Sequence, residues 1–147
     1  MNAKDFIKAE GALRVVVTGP DGQVKEQHDL TNLVVTAGLG FIASRMVGTS
    51  SAVMSHMALG SGTTAAAAAQ TALVTELGRV ALGSSSSSGA VVTYSATFNP
   101  GTATGAVTEA AILNAASAGT MLCRTVFPVV NKQAGDTMSV TWTITLS

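Results

Sequence analysis

Two histidines, one cysteine and a few carboxylates are all this chain offers for chemistry, and their positions decide how far each can go. A nucleophile-and-base site needs a Ser, Cys or Thr beside a His or Lys that a third group orients. Neither His28 nor His56 stands in such a motif. His28 falls among charged residues, where solvent satisfies it, and His56 opens an apolar stretch, where a structural role is expected. Cys123 sits in the apolar run 121–127, so the role expected of it is that of a small buried hydrophobe. As the single cysteine it excludes an intramolecular disulfide framework and a multi-cysteine zinc site.

Paired-carboxylate catalysis needs two acids that converge, and past residue 30 the acids are Glu76, Glu109 and Asp136. Glu109, Arg79 and Arg124 each lie in an apolar stretch, where a lone charge avoids a large desolvation cost by meeting its opposite. A structural ion pair of Glu109 with Arg124 or with Arg79 is therefore expected, and no catalytic residue. Gly60-Ser61-Gly62-Thr63-Thr64 looks like a phosphate-cradling loop, but no Gly-Lys-Ser or Gly-Lys-Thr follows and no βαβ unit surrounds it. No cofactor and no metal site is expected.

The elements that would position these residues are strands. Met138, Val140, Trp142, Ile144 and Leu146 alternate with Ser and Thr, as do Val92, Tyr94, Ala96 and Phe98, the pattern of a pleat with one buried face. Leu13, Val15 and Val17 start a hairpin that turns at Gly19-Pro20-Asp21-Gly22 and returns over 24–28. Further strands are expected at 33–35, 56–59, 79–83, 107–113 and 121–127. One helix is read from Leu39, Ile42, Ala43 and Met46, with Thr36 as N-cap and Gly48 as stop, plugging an open end. The alanine run 65–69 is expected in a long loop with at most a turn or two of helix, and the serine run 84–88 in a flexible loop. The fold class expected is all-β, an antiparallel β-sandwich or jelly roll with one short helix.

Charge is scarce and lopsided. Charged residues make up 11% of the chain, against roughly 25% in an average soluble protein. Nine of the sixteen lie in the first 29 residues, which leaves a body coated with Ser, Thr, Ala and Gly. Such a surface suits contact with neighbouring subunits, or belongs to a neutral, Thr-rich β protein. A net charge of +0 without a Lys/Arg cluster argues against a nucleic-acid partner. The stretch 33–48 is broken by Thr36, Ser44 and Arg45, so no membrane partner is expected, and the charged first ten residues do not read as a signal peptide. Residues 1–10 form an N-terminal segment in which Phe6 and Ile7, beside Lys8, are apolar islands among charges: either an interface arm or a frayed terminus. Residues 11–147 form one domain.

The segments HMALGSGTTAAAAAQTALVTELGRVAL, VVTYSATF, GAVTEAAILNAASAGTMLCRTVF and VVNKQAGDTMSVTWTITLS together resemble a family of small virion proteins of tailed phages. The resemblance covers about 32–147, with TEAAILNA and GDTMSVTWTITL its more specific parts, and leaves out the N-terminal hairpin. The family includes capsid cement or decoration proteins and tail-fibre or tail-associated proteins. The small size, without coiled coil, fibre repeat or collagen-like tract, is similar to the jelly-roll cement proteins of short-tailed phages. The resemblance implies a non-enzymatic protein, made in the bacterial cytoplasm, that binds the capsid exterior. Its partners would be the major capsid protein and itself, as a homo-oligomer, dimer or trimer; the alternative is a tail-fibre or tail-tip adsorption protein.

Overall fold

Alternating β-branched and polar residues make strands that must each hide one face from water, and the chain does so by curling one sheet on itself. The computed structural model describes residues 6–49 and 51–147 and shows an all-β, antiparallel, sandwich-like fold. Its strands are β1 (Ala9–Thr18), β2 (Val24–Val34), β3 (His56–Gly60), β4 (Glu76–Ala81), β5 (Ser84–Ser88), β6 (Val91–Phe98), β7 (Gly105–Leu113), β8 (Met121–Lys132) and β9 (Thr137–Leu146). The one helix among the described residues is α1 (Thr36–Arg45).

Strand order is β4-β3-β7-β8-β2-β1-β9-β6-β5. The halves join where the end of β2 leaves β1 and pairs Leu33 with Arg124 and Val34 with Cys123 of β8. One layer, β5-β6-β9-β1-β2, turns Leu13, Val15, Val17, Phe98, Val140 and Trp142 inward. The other, β8-β7-β3-β4, meets them with Met57, Leu59, Val107, Ile112, Cys123 and Phe127. This second layer is buried on its outer side as well, where Ala58, Ala111, Leu113 and Met121 pack with Val35 and Leu73. Burial on both faces explains why β7 and β8 read as apolar runs without alternation.

Several elements differ from what the residues suggest one by one. The serine run 84–88 is the edge strand β5, held by backbone pairing to β6 rather than by apolar side chains. The expected strands 24–28 and 33–35 are one strand, whose inward positions opposite Val17, Val15 and Leu13 carry Glu26, His28 and Leu30. Two polar residues on the inner face conceal the alternation. The strand expected over 79–83 is displaced to Glu76–Ala81 by its pairing with β3. Thr36 lies inside α1 rather than capping it, with Val35 at the N-cap, and the helix gives way at Met46 before Gly48. Gly38 lies against the Leu122 carbonyl so closely that a Cβ has no room. Phe41 and Ile42 share a cavity of about 240 Å³ with Leu122 of one layer and Tyr94 and Ile144 of the other, so α1 closes that end of the sandwich.

Candidate functional site

Glu109 and Arg124 stand on the outer face of the second layer, where register places Arg124 opposite Ala111, two positions along from Glu109. Both side chains are wholly buried, and Arg124 Nη2 donates to Glu109 Oε2 at 2.7 Å. Arg124 Nε donates to the same oxygen at 3.0 Å. The carboxylate also accepts the backbone N–H of Gly62 and Thr75 at Oε1 and of Val74 at Oε2. Arg124 Nη1 reaches the Thr64 carbonyl and Gln70 Oε1. The pair thus holds both limbs of the 61–75 loop against the sheet, with Thr108 Oγ1 adding a bond to the Gly62 carbonyl. Burial alone would raise the Glu109 carboxyl's pKa; the Thr75 N–H, the Arg124 guanidinium and the N–H groups of Val74 and Gly62 outweigh it and hold it below the usual carboxylate range.

Of Gly60-Ser61-Gly62, the Gly62 N–H does meet an anion, and the anion is the protein's own carboxylate. A Cβ on Gly62 would stand 2.6 Å from Glu109 Oε1, and one on Gly60 would stand 2.5 Å from the same oxygen. The two glycines mark a close backbone approach, a signal already present in the sequence. Arg79 does not share the pair. It donates to Glu76 Oε1 at 2.6 Å and to the carbonyls of Ala115 and Ala118, because β4 lies at the edge of its layer beside the β7–β8 loop.

The other charges of the body work the same way. Asp136 accepts from Lys25 Nζ and from the Gln133 N–H, which hold its pKa low, and Lys132 Nζ donates to the Asn99 carbonyl. Of the seven charged residues past residue 30, Glu109, Arg124, Lys132 and Asp136 are buried. Arg79 is nearly so, and only Arg45 and Glu76 are exposed. On the outward face of the first layer one row across five strands is uncharged, Ser86, Thr93, Thr143, Ala12 and Thr31, and the neighbouring row carries the exposed Arg14–Asp29 pair.

His56 Nδ1 is bonded to Ser55 Oγ at 2.8 Å, and His28 Nε2 lies 3.7 Å from Glu26. Cys123 is wholly buried, and that burial raises its thiol pKa. Among the described residues no three His, Cys, Asp or Glu side chains gather as a metal-ligand set, and no helix is long and apolar enough to cross a membrane.

The expected arm of residues 1–10 is shortened, because Ala9 and Glu10 already belong to β1 and Lys8 exchanges two backbone bonds with Ser147. Residues 1–5 lie outside the described residues. Phe6 and Ile7 are 75% and 77% exposed. Ile7 borders a groove of about 770 Å³ with Leu33 and Leu39, over Gly11 and Ala12.

Together the fold and these sites define an all-β, sandwich-like protein whose charges past residue 30 mostly fasten loops, while exposed charges gather on the β1–β2 hairpin. Comparisons of the chain with models of protein families, with curated proteins and with solved structures find no match, so nothing in them identifies the phage family that the sequence resembles.

Proposed function

We propose that this protein is a non-enzymatic structural component of a tailed-phage particle, a cement protein that binds the capsid exterior across capsomer borders. The observation that carries the reading is the scarcity of surface charge past residue 30, where four of the seven charged side chains are buried. A free protein keeps a charged surface for solubility, whereas one packed among neighbours gains from a surface that is cheap to desolvate. The resemblance over 32–147 supports the phage setting. A rigid sandwich holds its contact faces preorganised, which limits the entropy lost on docking, and repetition over the shell supplies avidity. The partners are the major capsid protein and further copies of this chain.

Densitometry of purified particles tests this. A copy number comparable to that of the major capsid protein is expected, together with loss of shell stability when the protein is omitted. A few copies per particle would replace the cement reading with the tail-associated one, and none would end both.

A further inference from the structure

We infer that the free edge of β5 is a strand-addition site, which takes an extended segment of a partner protein with apolar side chains at alternate positions and an acidic one beside them. β5 pairs with β6 alone and ends the strand order, so one edge of Ser84–Ser88 presents unpaired backbone N–H and C=O groups. Folded proteins guard such edges with charge, proline or a bulge. The other open edges are guarded in this way. β4 carries Glu76 and Arg79, β2 carries Lys25, Glu26 and Asp29 ahead of its pairing with β8, and β8 carries Pro128 past its pairing with β2. β5 carries none of these devices, and no charged residue stands between Arg79 and Glu109.

What the added strand must carry is set by a groove of about 450 Å³ between β5 and the 51–54 segment, walled by Phe41, Arg45, Val53, Met54, Val92 and Tyr94. Ser85 and Ser87 lie opposite Tyr94 and Val92, which pack on the core, so they stand on the inward face of β5; both are nevertheless exposed. A strand on the free edge prolongs that face, and the side chains it sets beside Ser85 and Ser87 turn to the groove, where Val53 is 60% exposed. Two apolar side chains, two positions apart, fill it. Main-chain bonds then supply affinity, and the groove selects the side chains. Charge adds a further demand: Arg45 Nη1 donates to the carbonyls of Thr49 and Ser51, and none of the described carboxylates pairs with that guanidinium. An acidic residue beside the apolar ones answers it. A second copy's β5 would bring only serines to an apolar groove, so the partner strand is a different segment. The inference stands apart from the phage setting.

Magnetic resonance titration of the labelled full chain with the end-blocked heptapeptide Glu-Thr-Val-Thr-Val-Thr-Glu tests it, since this peptide sets both valines and both glutamates on one face whichever way it runs. Saturable binding with a dissociation constant below about 1 mM is expected, with shifts centred on β5, Phe41 and Val53 and slower hydrogen exchange in β5. Replacing both glutamates by lysine is expected to weaken binding by about threefold or more, and replacing both valines by serine by about tenfold or more. N-methylation throughout the peptide backbone should abolish binding, because the strand bonds are lost. Val53→Asp is expected to abolish it too, with an unchanged melting temperature because Val53 is exposed. No saturable binding, shifts away from β5, equal binding of the lysine or serine peptide, binding of the N-methylated peptide, or binding that survives Val53→Asp would each overturn the inference, as would dimerisation of the chain through β5.

Discussion

Arg124 and Glu109 meet at 2.7 Å with neither side chain reaching solvent, and each also bonds to the 61–75 loop that covers them. Glu109→Gln leaves the guanidinium buried without its counter-charge, and Arg124→Met does the same to the carboxylate. Each is expected to cost about 3–5 kcal/mol, the range for breaking one side of a buried pair. The double variant should cost much less than the sum of the two, since it leaves no buried charge alone. Chemical denaturation measures the energies. Hydrogen exchange should show faster opening of the N–H groups of Gly62, Val74 and Thr75, which donate to Glu109.

Two glycines of α1 should respond in opposite directions to alanine. Gly40 has open space where a Cβ would stand, so Gly40→Ala is expected to stabilise the protein by about 0.5–1 kcal/mol through helix propensity. Gly38 abuts the Leu122 carbonyl, and Gly38→Ala should push α1 off β8 at a cost of about 1–3 kcal/mol. Gly62→Ala belongs with the second, because its Cβ would crowd Glu109 Oε1 and Val74. Thermal melts separate the three.

Stability should fall in acid for a stated reason. Glu109 and Asp136 both have folded pKa values below the ordinary carboxylate range, so the unfolded chain binds their protons more readily. Their contribution is complete above the unfolded values, about pH 4, and is lost as the pH drops through the lowered folded ones. Melting temperature followed from neutral pH into acid should show this limb, and Glu109→Gln or Asp136→Asn should flatten it.

Cys123 and Trp142 report the core. The Cys123 thiol is wholly buried with its pKa raised by that burial, so a thiol reagent should modify it only at the rate of unfolding. Trp142, the single tryptophan, is buried with its Nε1 donating to Asn32 Oδ1 at 2.9 Å. Its emission should be blue-shifted and should move red in the same transition. Trp142→Phe removes that donor and packing volume, at an expected cost of about 1–3 kcal/mol.

The residues by themselves determined the class of fold and the strands β1, β6 and β9, because each of these buries one face and a period of two survives in the side chains. They also determined that Glu109 needs a cation, since a buried carboxylate is too costly alone. Which cation was a matter of register: Arg124 lies opposite Ala111 beside Glu109, whereas the edge position of β4 gives Arg79 to Glu76. Only the tertiary structure made a strand of five serines, through backbone bonds that no side-chain pattern records. It alone set the Gly62 N–H against Glu109, because that contact joins residues 47 apart in the chain. Local spacing carries information about which face is buried; long-range pairing decides what each buried group meets.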